Sequence, residues 1–248
     1  MRNYIVLGLL FIAHFAQAQN NYINPTSQLW SEADIMGYVT PKLKWQADFQ
    51  YARQSPYQGL NLFMFNEQLT IRPWLHYYIT KQFRISTFVG LWYNYGISEV
   101  GAREYPEYRT ALQFQYYKTS GVQLFVNRFR EEFRFIKDRQ GAIEFVLRER
   151  YMFKYQRLLV HKSYDKQSLY AIALNEFFLN NGSKATGYHM FDQNRVFLGI
   201  GYNFTDDIGI ETGYFNQLQQ HAHDNNLDIN HIWQVSLIID NLTHPKKT

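Results

Sequence analysis

Two-residue alternation, sustained over long segments, is the feature that most restricts how this chain folds. Leu43, Trp45, Ala47, Phe49 and Tyr51 alternate with Lys44, Gln46, Asp48 and Gln50. Val196, Leu198, Ile200, Tyr202 and Phe204 alternate with Arg195, Phe197, Gly199, Gly201 and Asn203. A third face carries Ile143, Phe145, Leu147, Tyr151, Phe153 and Tyr155, interrupted by Glu149, and stands opposite Glu144, Arg148, Arg150 and Lys154. Near the end, His231, Trp233, Val235, Leu237 and Ile239 oppose Gln234 and Ser236, with Ile232 and Ile238 weakening the contrast. Successive side chains of a strand point to opposite faces, so each segment is a strand with one apolar face. No helical period and no Pro, Gly or Ser-rich linker interrupts Gln28 to Asp240, which predicts one domain.

The pattern predicts eleven strands, near 28–39, 42–53, 61–79, 83–96, 109–118, 121–136, 142–157, 168–179, 191–204, 208–219 and 230–240. Most exceed the roughly five or six residues usual in soluble sheets and reach the roughly 9 to 11 that a tilted strand needs to cross hydrocarbon. The 20 Tyr and 20 Phe against 6 Pro suit such strands. The expected fold is therefore all-β, an antiparallel transmembrane β-barrel of about 10 to 12 strands.

The N-terminus reads as an export signal. Arg2 supplies the positive region, Tyr4 to Phe15 is an apolar run, and Ala16-Gln17-Ala18 is a cleavage site. Residues 1–18 are thus expected to be removed, leaving 19–248 as a single outer-membrane domain of a Gram-negative cell. That apolar run is short for a spanning helix, and no second one follows, so a membrane-resident mature chain requires a closed barrel. Cysteine is absent, which excludes disulfides, thiolate metal sites and a lipid-modified N-terminal Cys. The net charge of +4 falls to +3 once Arg2 leaves, with both signs interspersed, and this gives no one-sided surface for nucleic acid. The expected partners are outer-membrane lipid, lipopolysaccharide and the barrel-assembly machinery; no cofactor is implied.

The connections alternate in kind. Pro41, Thr80-Lys81-Gln82, Thr119-Ser120-Gly121 and Thr205-Asp206-Asp207 mark tight turns, while Ser98 to Tyr108, Asn180 to Met190 and His221 to Ile229 are longer and polar. Outer-membrane barrels place short turns inside and long loops outside. On that basis the last strand and the first both run downward, which conflicts with an even strand number and a periplasmic N-terminus. Either one strand is missing from the count or the segment from Gln19 threads the lumen.

The stretch Phe191-Asp192-Gln193-Asn194-Arg195-Val196-Phe197-Leu198-Gly199-Ile200-Gly201-Tyr202-Asn203-Phe204 resembles the outer-membrane family catalogued as domain of unknown function 2490. Glu131-Glu132-Phe133-Arg134-Phe135, Arg148-Glu149-Arg150-Tyr151, Asn175-Glu176-Phe177-Phe178 and Gly213-Tyr214-Phe215-Asn216-Gln217 follow in the same order. The resemblance implies an antiparallel barrel and no known activity. One departure is the polar tail from Asn241 to Thr248, where such barrels commonly end on an aromatic residue.

If the apolar sets meet lipid, then Trp45, Phe49, Leu147, Tyr151, Leu198, Tyr202 and Trp233 face outward. A charge ladder then points into the lumen: Arg128, Arg130, Glu132 and Arg134 on one strand, Glu144, Arg148, Arg150 and Lys154 on the next, with Arg195 and Glu211 beyond. One reading is an anion-favouring constriction of a porin-like channel. The other is an ion-paired network filling a narrow barrel, which the presence of both signs favours. Gly90, Gly199, Gly201 and Gly213 would leave space on that inner face for long Arg chains or for solute.

Two short motifs carry residue types capable of chemistry. His161-Lys162-Ser163 with Asp165 has the residue types of a serine hydrolase, but falls in a short turn at the end away from the outer leaflet. His221-Ala222-His223-Asp224 holds possible metal ligands in what reads better as a solvated loop. The expected function is a passive narrow channel or structural barrel. A lipid-modifying enzyme and a secreted soluble barrel or sandwich that binds a ligand remain the alternatives.

Overall fold

The computed structural model describes residues 23–137, 140–160, 164, 166–221 and 226–243. The expected signal peptide, the His161-Lys162-Ser163 motif with Asp165, and residues 222–225 of the His-rich loop lie outside these. The strands are β1 (Ile23–Thr40), β2 (Leu43–Gln54), β3 (Phe65–Tyr78), β4 (Phe83–Asn94), β5 (Tyr105–Ser120), β6 (Gln123–Lys137), β7 (Ile143–Val160), β8 (Leu169–Asn180), β9 (Phe191–Asn203), β10 (Ile208–Gln220) and β11 (Leu227–Ile239). They close into one barrel in chain order.

Every neighbouring pair is antiparallel except the closing one, where β1 runs parallel to β11 from Ile23 beside Leu227 to Ile35 beside Ile239. An odd number of alternating strands can close in no other way, so the parity conflict in the sequence is resolved without a missing strand. The tail continues this seam. Leu242 donates its N–H to Met36 O (2.9 Å), and Tyr38 N–H meets Thr243 O (3.0 Å), so the edge of β1 below β11 is covered.

The tight turns gather at one end. Three of them use one device, in which a Thr side-chain oxygen accepts the backbone N–H groups two and three residues ahead. Thr40 takes Leu43 N (3.1 Å), Thr80 takes Phe83 N (3.0 Å) and Thr205 takes Ile208 N (2.9 Å). The opposite, wide-loop end carries the connections 55–64, 95–104 and 181–190. The alternation predicts strand from position 61 within the first of these. Its backbone instead turns at Asn61, whose carbonyl accepts Met64 N–H (3.3 Å) and whose side chain accepts Phe63 N–H (3.1 Å).

The alternation sets the faces as expected. Phe49, Tyr151, Leu198 and Trp233 are exposed on the outside, while Asp48, Arg148, Arg150 and Ser236 are buried within. The core therefore lies inside the barrel and mixes ionic with aromatic groups. Trp74, Phe88, Trp92 and Ala111 form one cluster, and Leu158, Tyr170, Ile172 and Phe197 another. Gly90 leaves room for the Arg72 chain beside Trp92, as expected, whereas Gly199 and Gly201 serve aromatic packing and leave no space for solute. A Cβ on Gly201 would fall 2.3 Å from the Tyr170 ring and one on Gly199 2.5 Å from the Phe197 ring, so each glycine seats an aromatic side chain.

Candidate functional site

The inward residues of β5 to β8 meet across neighbouring strands because antiparallel register sets Glu132 beside Arg148 and Arg130 beside Arg150. Glu132 is fully buried and takes three guanidinium groups: Arg130 (3.1 Å), Arg148 (2.5 Å) and Arg150 (2.5 Å). Glu176 on β8 receives Arg128 (2.6 Å) and Arg150 (2.9 Å). Nearer the wide-loop end, Glu107 on β5 receives Arg109 and Arg134, each at 2.6 Å. Each buried carboxylate thus compensates two or three cations, as charges taken out of water require.

Aromatic rings hold the same guanidinium groups from the side. Arg150 lies 4.2 Å and Arg195 4.7 Å from the centre of the buried Phe178 ring, while Arg109 lies 4.1 Å above Trp92.

The family model described as a protein of unknown function, DUF2490, matches residues 27–228, the span that carries almost the whole barrel and this network. The chain belongs to that family. No curated protein and no solved structure matches it.

Of the ladder residues expected from the alternation, Arg128, Arg130, Glu132, Arg134, Arg148 and Arg150 join this network. Lys154 pairs with Glu211 (3.4 Å) on the turn side of it. Glu144 stands apart. Its carboxylate accepts the backbone N–H of Ala185 (2.9 Å) and pins the 181–190 loop. Arg195 has no carboxylate partner among the described residues; its Nε donates to Gln217 (2.6 Å).

Sequence reading missed Glu107, Arg109, Glu176, Arg72, Glu32 and Asp48. All six share the inward parity of their strands, which was the available signal. Arg72 joins Glu32 (2.5 Å) and lies 3.3 Å from Asp48, and the carboxylates of Glu32, Asp34 and Asp48 come within 4.8 Å of one another. Two β-bulges recruit acids against the local alternation. Glu67 has no partner on β2, because Ala52 pairs with Gln68 and Arg53 with Asn66, and its side chain turns into the lumen. Asp192 is skipped in the same way between β8 and β9 and accepts Arg148 (3.1 Å).

This network divides the lumen of the DUF2490 barrel. A chamber of about 390 Å³ lies toward the turns and one of about 570 Å³ toward the long loops. Trp30, Gln50, Arg72, Arg150 and Arg195 contribute to both and form the waist between them.

One arrangement in the smaller chamber has the components of a nucleophile and base. Asp48 accepts from the Gln46 amide nitrogen, which turns the Gln46 oxygen toward His76 Nε2 (2.8 Å). That nitrogen must then carry the proton, leaving His76 Nδ1 to accept from Ser86 Oγ (2.7 Å). Ser86 is 2% exposed and lines neither chamber, so no substrate atom reaches it. The relay satisfies buried polar groups.

Proposed function

We propose that this protein is exported with cleavage after Ala18 and resides in the outer membrane as a closed barrel, long loops outward, that holds an outward-facing vestibule and does not serve as an open pore. The observation that carries the reading is the inversion of the two faces. Large apolar side chains such as Leu198, Trp233 and Phe145 cover the outside, while Glu132, Glu107 and Arg148 are buried inside. A water-soluble barrel turns its apolar face inward; hydrocarbon stabilises the reverse. Strands of 12 to 18 residues are long enough to cross it.

Closure follows from the waist. Of the waist side chains, Arg150 is held by Glu132 and Glu176, Arg72 by Glu32 and Asp48, and Arg195 lies between the rings of Trp30 and Phe178, so the groups that narrow the lumen there are fixed in place and only one guanidinium is left available to an anion. The partners this location implies are membrane lipid, lipopolysaccharide and the assembly machinery.

Two measurements test it. Membrane fractionation should recover the mature protein with the outer membrane, and recovery in periplasm or medium without detergent overturns the location. In planar bilayers the wild-type barrel should show no stable open-channel steps, and steady conductance overturns closure.

A further inference from the structure

We propose that the wide-loop chamber binds a small zwitterion, a free amino acid or short peptide, whose carboxylate pairs with Arg195 and whose ammonium pairs with Glu67. This rests on the reading of that chamber as an outward vestibule.

Charge pairing in the chamber supports the assignment. Below its mouth, Glu107 takes Arg109 and Arg134, while Arg148 and Arg150 share Glu132. Arg103 and Lys184 come from loops at the mouth. Two partly buried groups of opposite sign remain without an ion pair among the described residues. Arg195 is clamped between the rings of Trp30 (5.0 Å) and Phe178 (4.7 Å), and its Nε is occupied by Gln217. Its terminal nitrogens are left for a ligand, in the planar fork that matches a carboxylate. Glu67 is brought into the same chamber by its bulge, and its Oε2 is buried with no hydrogen-bond partner.

Glu67 and Arg195 attract each other only at longer range and form no ion pair, so an anion would pair with Arg195 alone and a cation with Glu67 alone. Only a ligand bearing both charges pairs with both, and a charge without a close partner in a desolvated site is costly. A further acceptor is ready for an amide or ammonium N–H, because Gln193 is 8% exposed and its Oε1 has no partner. A volume of about 570 Å³ lies in the range of small-molecule sites.

The test is calorimetric titration of the full chain, folded in detergent, with alanine, alanyl-alanine, N-acetyl-alanyl-alanine and alanyl-alanine amide. Alanine or alanyl-alanine should bind, and blocking either end should weaken binding at least tenfold. Glu67→Gln should make the N-acetyl form bind as well as the free dipeptide, and Arg195→Gln should abolish binding of both. Heat-modifiable gel migration establishes that each variant is folded. No binding of either zwitterion, or equal binding of the blocked forms by the wild type, overturns the proposal. A wild-type barrel that conducts but still discriminates the blocked dipeptides overturns closure and retains the site.

Discussion

Glu132 holds Arg150 through one carboxylate oxygen and Arg148 through the other, both at 2.5 Å, with Arg130 sharing the first. One buried acid therefore organises three cations contributed by two adjacent strands. Glu132→Gln leaves Arg130 with no carboxylate and Arg148 and Arg150 with one each, Asp192 and Glu176, whereas Arg150→Gln leaves Arg130 and Arg148 still on Glu132. Removal of one partner from a buried pair costs about 3–5 kcal/mol. The acid variant is expected at or above the top of that range and the Arg variant below it. Urea unfolding of the folded barrels in detergent measures the difference, and equal losses contradict the three-to-one arrangement.

Gly201 and Tyr170 occupy complementary volumes. A Cβ at position 201 would lie 2.3 Å from the tyrosine ring, so Gly201→Val should destabilise the barrel by about 1–3 kcal/mol, the usual cost of overpacking. Tyr170→Ala added to that variant should recover part of the loss. A double variant worse than the sum of the two single ones removes this explanation of the glycine.

The outer face carries an anomaly with a measurable cost. Glu131 and Glu149 are direct cross-strand partners and point outward between Phe129, Phe133, Leu147 and Tyr151. In hydrocarbon a carboxylate is disfavoured, and like charges opposite each other repel. Glu149→Leu should therefore raise stability by on the order of 1 kcal/mol. Leu198→Arg should lower it by about 2–4 kcal/mol. A lipid-soluble thiol reagent should label Cys at 147 or 198 and spare Cys at 148 or 150; the opposite pattern reverses the faces.

Parallel closure sets the two ends of the barrel chain on opposite sides, since β1 begins at the wide-loop end and β11 finishes at the tight-turn end. An epitope placed before Ile23, after the proposed cleavage site, should be reached by antibody on intact cells, and one appended after Thr248 only after permeabilisation. Matching accessibility of both epitopes rules out the odd-stranded topology in the membrane.

Alternation, read from the sequence alone, determined the eleven strands, the division into apolar and polar faces and the inward set from Arg128 to Arg150. It could do so because strand periodicity is a local property of the backbone. Only the tertiary structure decided which acid compensates which base across strands, because Glu107 meets Arg134, Glu132 meets Arg148 and Arg150, and Glu176 meets Arg128 and Arg150 through the stagger between strands, which no single segment encodes. Parallel closure of β1 on β11 depended on the same long-range register. The bulges that turn Glu67 and Asp192 inward break the period at single residues, so a rule built on that period assigned neither acid to the lumen. The glycines were legible as inward positions, but that the Tyr170 ring of β8 fills the space at Gly201 of β9 depends on the register between the two strands.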